Sequence, residues 1–230
     1  MLNTTPAPGD GTGPTGPPVV VWDLGNVLIP WERTGALLAA VGDPDEAERL
    51  AEEVFTLEVN ALLDAGASMR EVLAVVERDH PGTGWAVEAY VEHFGHSLGP
   101  VIDGSAEILA ELNSAGVRCV GLSNWSAVTF EGIPQAYPAL SGLEGIVISG
   151  EVGVTKPDRE IFLHCQRRFG FEAHQAVFID DSPANVAAAV QLGWQALLFE
   201  DPERLRRDLG ALGLPGLTPT DPPPDARSRS

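Results

Sequence analysis

The feature of this sequence that most restricts its fold is a set of five short apolar runs that alternate with segments of helical spacing. The runs are VVVWD at 19–23, RCVGLSN at 118–124, GIVISG at 145–150, AVFIDD at 176–181 and QALLF at 195–199. Short runs rich in β-branched residues are typical of strands buried on both faces of a parallel sheet. Helices are predicted between or after them at 105–115, 158–169, 183–192 and 202–212. The pattern therefore predicts an α/β fold, with an open parallel sheet flanked by helices.

One long interval interrupts this alternation. Residues 31–103 show helical spacing and no convincing strand, so we predict a helical insertion after the first strand. The α/β core is then expected to comprise residues 19–30 and 104–217. The terminal segments 1–18 and 218–230 are rich in Pro, Gly, Thr or Ser and have little to bury, which predicts a disordered leader and a disordered tail.

Composition narrows the classes of partner. With 14 basic and 33 acidic residues, the formal net charge is −19, which disfavours nucleic acid and anionic membranes. A phosphorylated substrate would then need a local cation or a bound metal ion. The chain has two cysteines and shows neither a membrane span nor a signal peptide, so a reducing, cytoplasmic setting is predicted.

Small polar side chains collect where the predicted strands end. They are Asp23 after the first run, Ser123 and Asn124 at the second, Lys156 in the loop after the third, and Asp180 with Asp181 at the fourth. The carboxyl ends of parallel strands share one edge of a sheet, so these residues are expected to converge on one site.

The chemistry of this set points to phosphoryl transfer. Asp23, Asp180 and Asp181 offer the hard oxygen ligands that Mg²⁺ prefers, and adjacent buried acids would repel one another without a cation. A free carboxylate can attack phosphorus and form an aspartyl-phosphate. Ser123 and the backbone near Asn124 could donate hydrogen bonds to the phosphoryl oxygens, while Lys156 would neutralise charge there.

Four short motifs, DLGNVL, LSN, KP and IDDSPAN, occur in this order at the ends of predicted strands or in the following loops. This order resembles the four motifs of the haloacid dehalogenase (HAD) superfamily, in particular its phosphatases with a helical cap after the first motif. The resemblance covers residues 19–212 and implies a Rossmann-like sheet. It also implies that residues 31–103 form a cap that closes over the pocket and selects a small phosphorylated metabolite, such as a sugar phosphate.

The same resemblance implies a role for each motif residue. Asp23 would be the nucleophile, and Lys156 the lysine of the third motif. Mg²⁺ would be bound by Asp23, by the backbone carbonyl of Gly25, by Asp181 directly, and by Asp180 directly or through water. Phosphate would be held by Ser123 and Asn124. Asn185 is a further candidate for steadying the acidic loop, although a polar residue near a helix start is an equally good interpretation.

Gly25 departs from the common family pattern. Most phosphatases of the superfamily have a second aspartate at this position, which protonates the leaving oxygen and later activates water, and glycine has no side chain for either task. Sugar-1-phosphate phosphatases of the superfamily are similar to this chain in having DLGNV here, which is compatible with an active enzyme. We therefore expect water or a residue of the cap to transfer the proton.

Two other functions and the role of Arg33 remain open. A 2-haloacid dehalogenase would share the fold, Asp23, Ser123 and Lys156 but use no metal, so the paired acids of IDDSPAN disfavour it. A non-catalytic protein that binds a phosphate ligand would account for Gly25. Arg33, just after the first strand, could pair a second anionic group of the substrate or lie in a solvated hinge.

Overall fold

The computed structural model describes residues 16–217. The predicted tail at 218–230 lies outside the described residues, and so does the predicted leader apart from its last three positions. Within the described residues the chain forms one five-stranded sheet with helices packed against it.

All five predicted strands are present, and they form a single parallel sheet in the order β3-β2-β1-β4-β5. The strands are β1 Val19–Trp22, β2 Arg118–Ser123, β3 Ile146–Ile148, β4 Ala176–Asp180 and β5 Gln195–Leu198. β1 lies at the centre, where Val21 pairs with Val120 of β2 on one side and with Phe178 of β4 on the other. This confirms the predicted α/β class.

The helices of the described chain fall into two groups. Those between β1 and β2 are α1 Thr34–Val41, α2 Pro44–Glu53, α3 Leu57–Asp64, α4 Met69–Asp79, α5 Trp85–Glu92 and α6 Asp103–Ser114. Those after β2 are α7 Ala127–Phe130, α8 Ile133–Ala136, α9 Ser149–Val152, α10 Arg159–Phe169, α11 Pro183–Gln191 and α12 Pro202–Ala211. The four helices predicted for the core correspond to α6, α10, α11 and α12 within about two residues at each end.

Alternating side chains of the strands build two apolar layers. Val19 and Val21 of β1 pack on one face of the sheet with Phe162 of α10. Val20 and Trp22 pack on the opposite face, in a cluster that also contains buried residues of α1 to α5. The insertion, residues 31–103, therefore shares its apolar core with one face of the sheet.

Within the insertion, the segment that spans residues 46–66 contributes to two helices rather than one. α2 ends at Glu53, and Thr56 caps α3 by accepting a hydrogen bond from the backbone N–H of Val59. Between the two helices, Phe55 is fully buried and stacks on Tyr90 of α5 with ring centroids 3.9 Å apart. The chain turns here because this buried contact outweighs the helical propensity of the segment.

The insertion leaves and rejoins the core at neighbouring positions, since Trp31 and Leu98 form an antiparallel bridge.

No helix within residues 16–217 is long and apolar enough to cross a membrane. Cys119 and Cys165 are both buried and free.

Replacing Phe178 with Ala should lower the free energy of unfolding by about 3–5 kcal/mol, because it opens a cavity in the centre of the sheet. Phe178 is fully buried and makes edge contacts with Phe162 and Trp194, at ring-centroid distances of 5.5 and 6.0 Å. Chemical denaturation followed by circular dichroism measures the loss. Val190→Ala, at a side chain that is 55% exposed, serves as the control and should change stability by less than roughly 0.5 kcal/mol. An equal effect of both variants would contradict this placement of the core.

Candidate active site at the carboxyl edge of the sheet

The central strands bring the polar motif residues together. Asp23 directly follows β1, Ser123 ends β2, and Asp180 ends β4, and these three strands are neighbours in the sheet. Lys156 reaches the same edge from the loop between α9 and α10. Residues up to 157 positions apart in sequence thus lie in one site, as the strand-end pattern had predicted.

The ammonium group of Lys156 lies at the centre of the site. It donates hydrogen bonds to the carbonyl of Leu122 at 2.8 Å and to Oδ2 of Asp180 at 2.7 Å, and it contacts Oδ1 of Asp23 at 2.9 Å. The Lys156 side chain is 1% exposed, so no bulk water screens these contacts. Burial opposes the charged ammonium, but Asp23 and Asp180 outweigh it and raise the pKa of Lys156.

Asp23 has one carboxylate oxygen held by three donors. Oδ1 accepts hydrogen bonds from the backbone N–H of Leu24 at 2.7 Å and the hydroxyl of Ser123 at 3.0 Å, besides its contact with Lys156. Among the contacts within residues 16–217, none of these donors engages Oδ2. Asp23 is therefore fixed in orientation through one oxygen while the other is available to a reaction partner.

Asp180 is more fully engaged. Its Oδ1 accepts hydrogen bonds from the backbone N–H of Ser182 at 2.8 Å and from the amide of Asn185 at 2.9 Å, and its Oδ2 accepts one from Lys156. A carboxylate has about four acceptor positions, so roughly one is left for another ligand. Asn185 lies in the first turn of α11 and contacts the acidic loop directly.

Asp23, Asp180 and Asp181 form a cluster, here called the acid cluster, in which one oxygen from each carboxyl group lies within 4.8 Å of the other two. Burial, with a further contribution from neighbouring acids, raises the pKa of Asp23 to about 7, and Lys156 opposes this shift. The pKa of Asp181 is raised by partial burial and by Asp180, and a hydrogen bond from Asn26 opposes the rise. Three ionised acids facing one ammonium would carry an excess of negative charge, and the cost of that excess, which the raised pKa values reflect, favours a bound cation.

The Asn124 side chain supports Lys156. Its amide nitrogen donates to the carbonyl of Lys156 at 2.9 Å, and its amide oxygen accepts from the backbone N–H of Lys156 at 2.7 Å. Both ends of the amide are thus occupied by the lysine backbone. A phosphate contact from Asn124 would therefore come from its backbone N–H or from the second N–H of its side-chain amide.

The loop after β1 does not require glycine at position 25. The left-handed backbone conformation lies at Asn26, with φ of 56°, whose side chain accepts a hydrogen bond from the backbone N–H of Trp31. A Cβ atom built on Gly25 meets nothing within 4 Å. The backbone at position 25 therefore does not demand glycine, and a Cβ atom would have room there.

A cavity of about 70 Å³ lies beside this site, between the core and the insertion. Its lining is partly aromatic and partly polar, and comprises Gly25, Trp31, Asn60, Asp64, Phe94, Asn124, Trp125 and Thr129. Arg33 is not part of this lining, and its guanidinium donates to the carbonyl of Phe55 at 3.4 Å. The proposed contact of Arg33 with a second anionic group thus finds no support in this arrangement.

Sequence reasoning missed Asp64, which is the last residue of α3 and lines the cavity. Burial raises the pKa of Asp64 to about 7, against hydrogen bonds from Ser126 and Asn60. The sequence did contain one signal. The helix dipole disfavours a negative charge at the carboxyl end of a helix, so an aspartate at the end of a predicted helix suggests another role for that side chain.

Comparison with known proteins agrees with this architecture. Arabidopsis thaliana flavin mononucleotide hydrolase 1, a chloroplast protein, is 30% identical over 113 residues, which cover 49% of this chain and 46% of that protein. The chain thus spans about half the length of that relative.

Two solved structures are similar over most of their length. A HAD-like family hydrolase from Porphyromonas gingivalis superposes with a TM-score of 0.66 at 24% identity, covering 85% of this chain and 97% of that one. A HAD family enzyme from Bacteroides thetaiotaomicron, in complex with magnesium and inorganic phosphate, gives a TM-score of 0.65 at 20% identity, covering 81% and 96%. These likenesses confirm the fold.

The family model for haloacid dehalogenase-like hydrolases matches residues 18–193, which include β1, the whole insertion, Lys156 and the acid cluster. The chain therefore belongs to the haloacid dehalogenase-like hydrolases.

Proposed function

We propose that this hydrolase is a Mg²⁺-dependent phosphatase that cleaves the monoester of a small phosphorylated metabolite through an aspartyl-phosphate on Asp23. The proposal rests on the orientation and the surroundings of the Asp23 carboxylate. One of its oxygens is fixed by three donors, and the carboxylate lies beside two further acids at the sheet edge.

The donor set fits a magnesium ion. It consists of oxygen ligands alone, and the acid cluster carries more negative charge than Lys156 balances. Asp181, the carbonyl of Gly25 and the Asp23 oxygen that does not attack phosphorus would bind the ion, and Asp180 would use its remaining acceptor position directly or through water. When bound, Mg²⁺ would neutralise the charge of the phosphoryl group and polarise it toward attack.

Asp23 then performs the displacement. Its free carboxylate oxygen attacks phosphorus, the bond from phosphorus to the ester oxygen breaks, and the leaving alcohol takes up a proton. Water next attacks the phosphorus of the aspartyl-phosphate, which releases inorganic phosphate, restores the carboxylate and gives up a proton.

Ser123 and Lys156 serve the same step in different ways. The hydroxyl of Ser123 can rotate from Asp23 to donate to a phosphoryl oxygen once a substrate is bound. Lys156 acts through its charge, because its hydrogen bonds already go to Leu122, Asp180 and Asp23. It thereby favours the ionised, nucleophilic form of Asp23.

The relatives support a phosphatase. One similar protein is named as a hydrolase of flavin mononucleotide, and one structural neighbour holds magnesium with inorganic phosphate. The metal-free dehalogenase is disfavoured because the acid cluster would repel an anionic haloacid. A non-catalytic binding protein would not need an oriented Asp23. A cytoplasmic location stays a prediction.

The cavity also indicates which leaving groups the site accepts. Its described lining includes the aromatic side chains of Trp31, Phe94 and Trp125 but no Lys, Arg or His. Asp64 adds a carboxyl group. Such a wall favours an uncharged, partly apolar leaving group and disfavours one with a second phosphate or a carboxylate.

Replacing Asp23 with Asn should reduce phosphate release at least about 1,000-fold, because an amide of the same shape cannot attack phosphorus. Release is measured across a panel of phosphate monoesters with Mg²⁺, and separately with EDTA, which should also abolish it. Asp79→Asn, at an exposed acid that ends α4, is the matched control and should keep wild-type activity. Undiminished turnover of Asp23→Asn, or halide release from 2-haloacids that EDTA does not affect, would contradict the proposal.

A second negative charge on the substrate should lower kcat/KM by about tenfold or more, because the described cavity wall offers no cation to pair it. The measurement compares phenyl phosphate, 4-carboxyphenyl phosphate and the neutral isostere 4-carbamoylphenyl phosphate. The carboxylate should be the poor substrate, and the carbamoyl compound should resemble phenyl phosphate. Preference for the carboxylate would show that a cation such as Arg33 reaches the substrate after all.

A further inference from the structure

Asp64 belongs to the insertion and lines the cavity that lies between the insertion and the core. Gly25 and Asn124 line the same cavity. Gly25 is the position that lacks the side chain of a proton donor, and Asn124 is next to Ser123 in the sequence. No other acidic residue lines that cavity among the described residues. Asp64 is therefore the carboxyl group that a leaving oxygen in the cavity would meet.

Contacts from both parts of the molecule hold Asp64 in place. Within α3, the amide of Asn60 donates to Oδ2 of Asp64 at 2.8 Å. From the core, the hydroxyl of Ser149 donates to its backbone carbonyl at 2.6 Å, and the backbone N–H of Ser126 lies close enough to its carboxyl group to favour the ionised form. Two donors occupy about half of the acceptor positions of the carboxyl group, which leaves the rest for a ligand.

We propose that Asp64 is the general acid and base of the phosphatase reaction and supplies from the insertion the group that Gly25 lacks. This inference rests on the proposed function and extends it. Protonated Asp64 gives its proton to the ester oxygen as the bond to phosphorus breaks, which releases a neutral alcohol. Ionised Asp64 then takes a proton from the water that attacks the aspartyl-phosphate and returns to the acid form, so the protons balance over one turnover.

The surroundings of Asp64 suit both halves of this cycle. Burial lifts its pKa to about 7, so both protonation states are accessible near neutral pH, as a group that alternates between acid and base requires. The titratable side chain that faces it is Tyr90, whose pKa is raised above its usual range by burial and, to a smaller extent, by Asp64. Within the described residues, no cation pairs with Asp64 to hold it permanently ionised.

A purely structural role is the main alternative, because the Ser126 and Ser149 contacts also fasten the insertion to the core. The two roles differ in what they do to different leaving groups. A proton donor matters for an alkoxide and little for a nitrophenolate, whereas a loosened insertion would impair both substrates alike.

The test measures kcat and KM of the full chain with Mg²⁺ on benzyl phosphate, which has a poor leaving group, and on p-nitrophenyl phosphate, which has a good one. Asp64→Asn keeps the shape and an acceptor oxygen for Ser126. Its phosphorylation step should be at least about 100-fold slower on benzyl phosphate and nearly unchanged on p-nitrophenyl phosphate, in single-turnover measurements. Because hydrolysis of the intermediate loses its base, aspartyl-phosphate should accumulate with p-nitrophenyl phosphate, from which it still forms rapidly. Asp79→Asn, which also alters the last residue of a helix, should behave as wild type.

A second variant tests rescue. Because a Cβ at Gly25 meets open space, Gly25→Asp combined with Asp64→Asn should restore most of the activity on benzyl phosphate. Equal losses of the phosphorylation rate on both substrates, no loss of that rate on either, or a failure of this rescue would overturn the assignment of Asp64. Wild-type turnover that Asp23→Asn abolishes verifies the proposed function independently. An inactive wild type would reject that function and the role of Asp64 with it, whereas an active wild type with an unaffected Asp64→Asn would reject only the role of Asp64.

Folding stability gives a readout that does not depend on activity. The raised pKa of Asp64 means that the folded state favours its protonated form, so its contribution to stability is present at low pH and is lost as pH rises through about 7. Asp64→Asn should therefore be more stable than wild type above pH 8, and this advantage should shrink toward pH 4. A difference in stability that does not change with pH would contradict a titrating Asp64.

Discussion

The contact of Lys156 with the two buried carboxylates of Asp23 and Asp180 is the interaction on which the site depends. Bringing these charges out of water costs several kcal/mol per ion, and only close pairing offsets that cost. The pairing is possible because β2, β1 and β4 are neighbours whose carboxyl ends lie at one edge. The loop that carries Lys156 is fixed in turn by the Asn124 amide. The order of the strands and the position of the Lys156 loop therefore decide whether the buried charges can pair. The negative charge that Lys156 does not balance favours a bound cation.

Much of this arrangement could be predicted from the sequence, since strand composition and the polar residues at strand ends are local signals. All five strands and the meeting of Asp23, Ser123 and Lys156 follow from them. The cavity wall could not be predicted, because it depends on how the insertion packs against the core. Asp64 faces the cavity through contacts with Ser126 and Ser149, more than 60 positions away, which no local pattern encodes.

The division between core and insertion gives each part a different chemical task in the proposed reaction. The core fixes the nucleophile and the cation site, whereas the insertion closes the cavity with aromatic side chains and the Asp64 carboxyl group. Gly25 fits this division, since the left-handed turn is made by Asn26 and the glycine leaves open space on the core side. Proton transfer from the insertion would couple turnover to its closure over the substrate, because Asp64 is in place only while α3 contacts the core.

The proposed reaction depends on phosphorylation of Asp23 during turnover. The most direct measurement is to mix the protein with Mg²⁺ and a phosphate monoester, stop the reaction with acid within milliseconds, and map the added phosphate by peptide mass spectrometry. We expect one phosphoryl group on the peptide that contains Asp23, absent from Asp23→Asn and absent when EDTA is present. Turnover with no phosphoryl group on that peptide, or with the group on another residue, would contradict it.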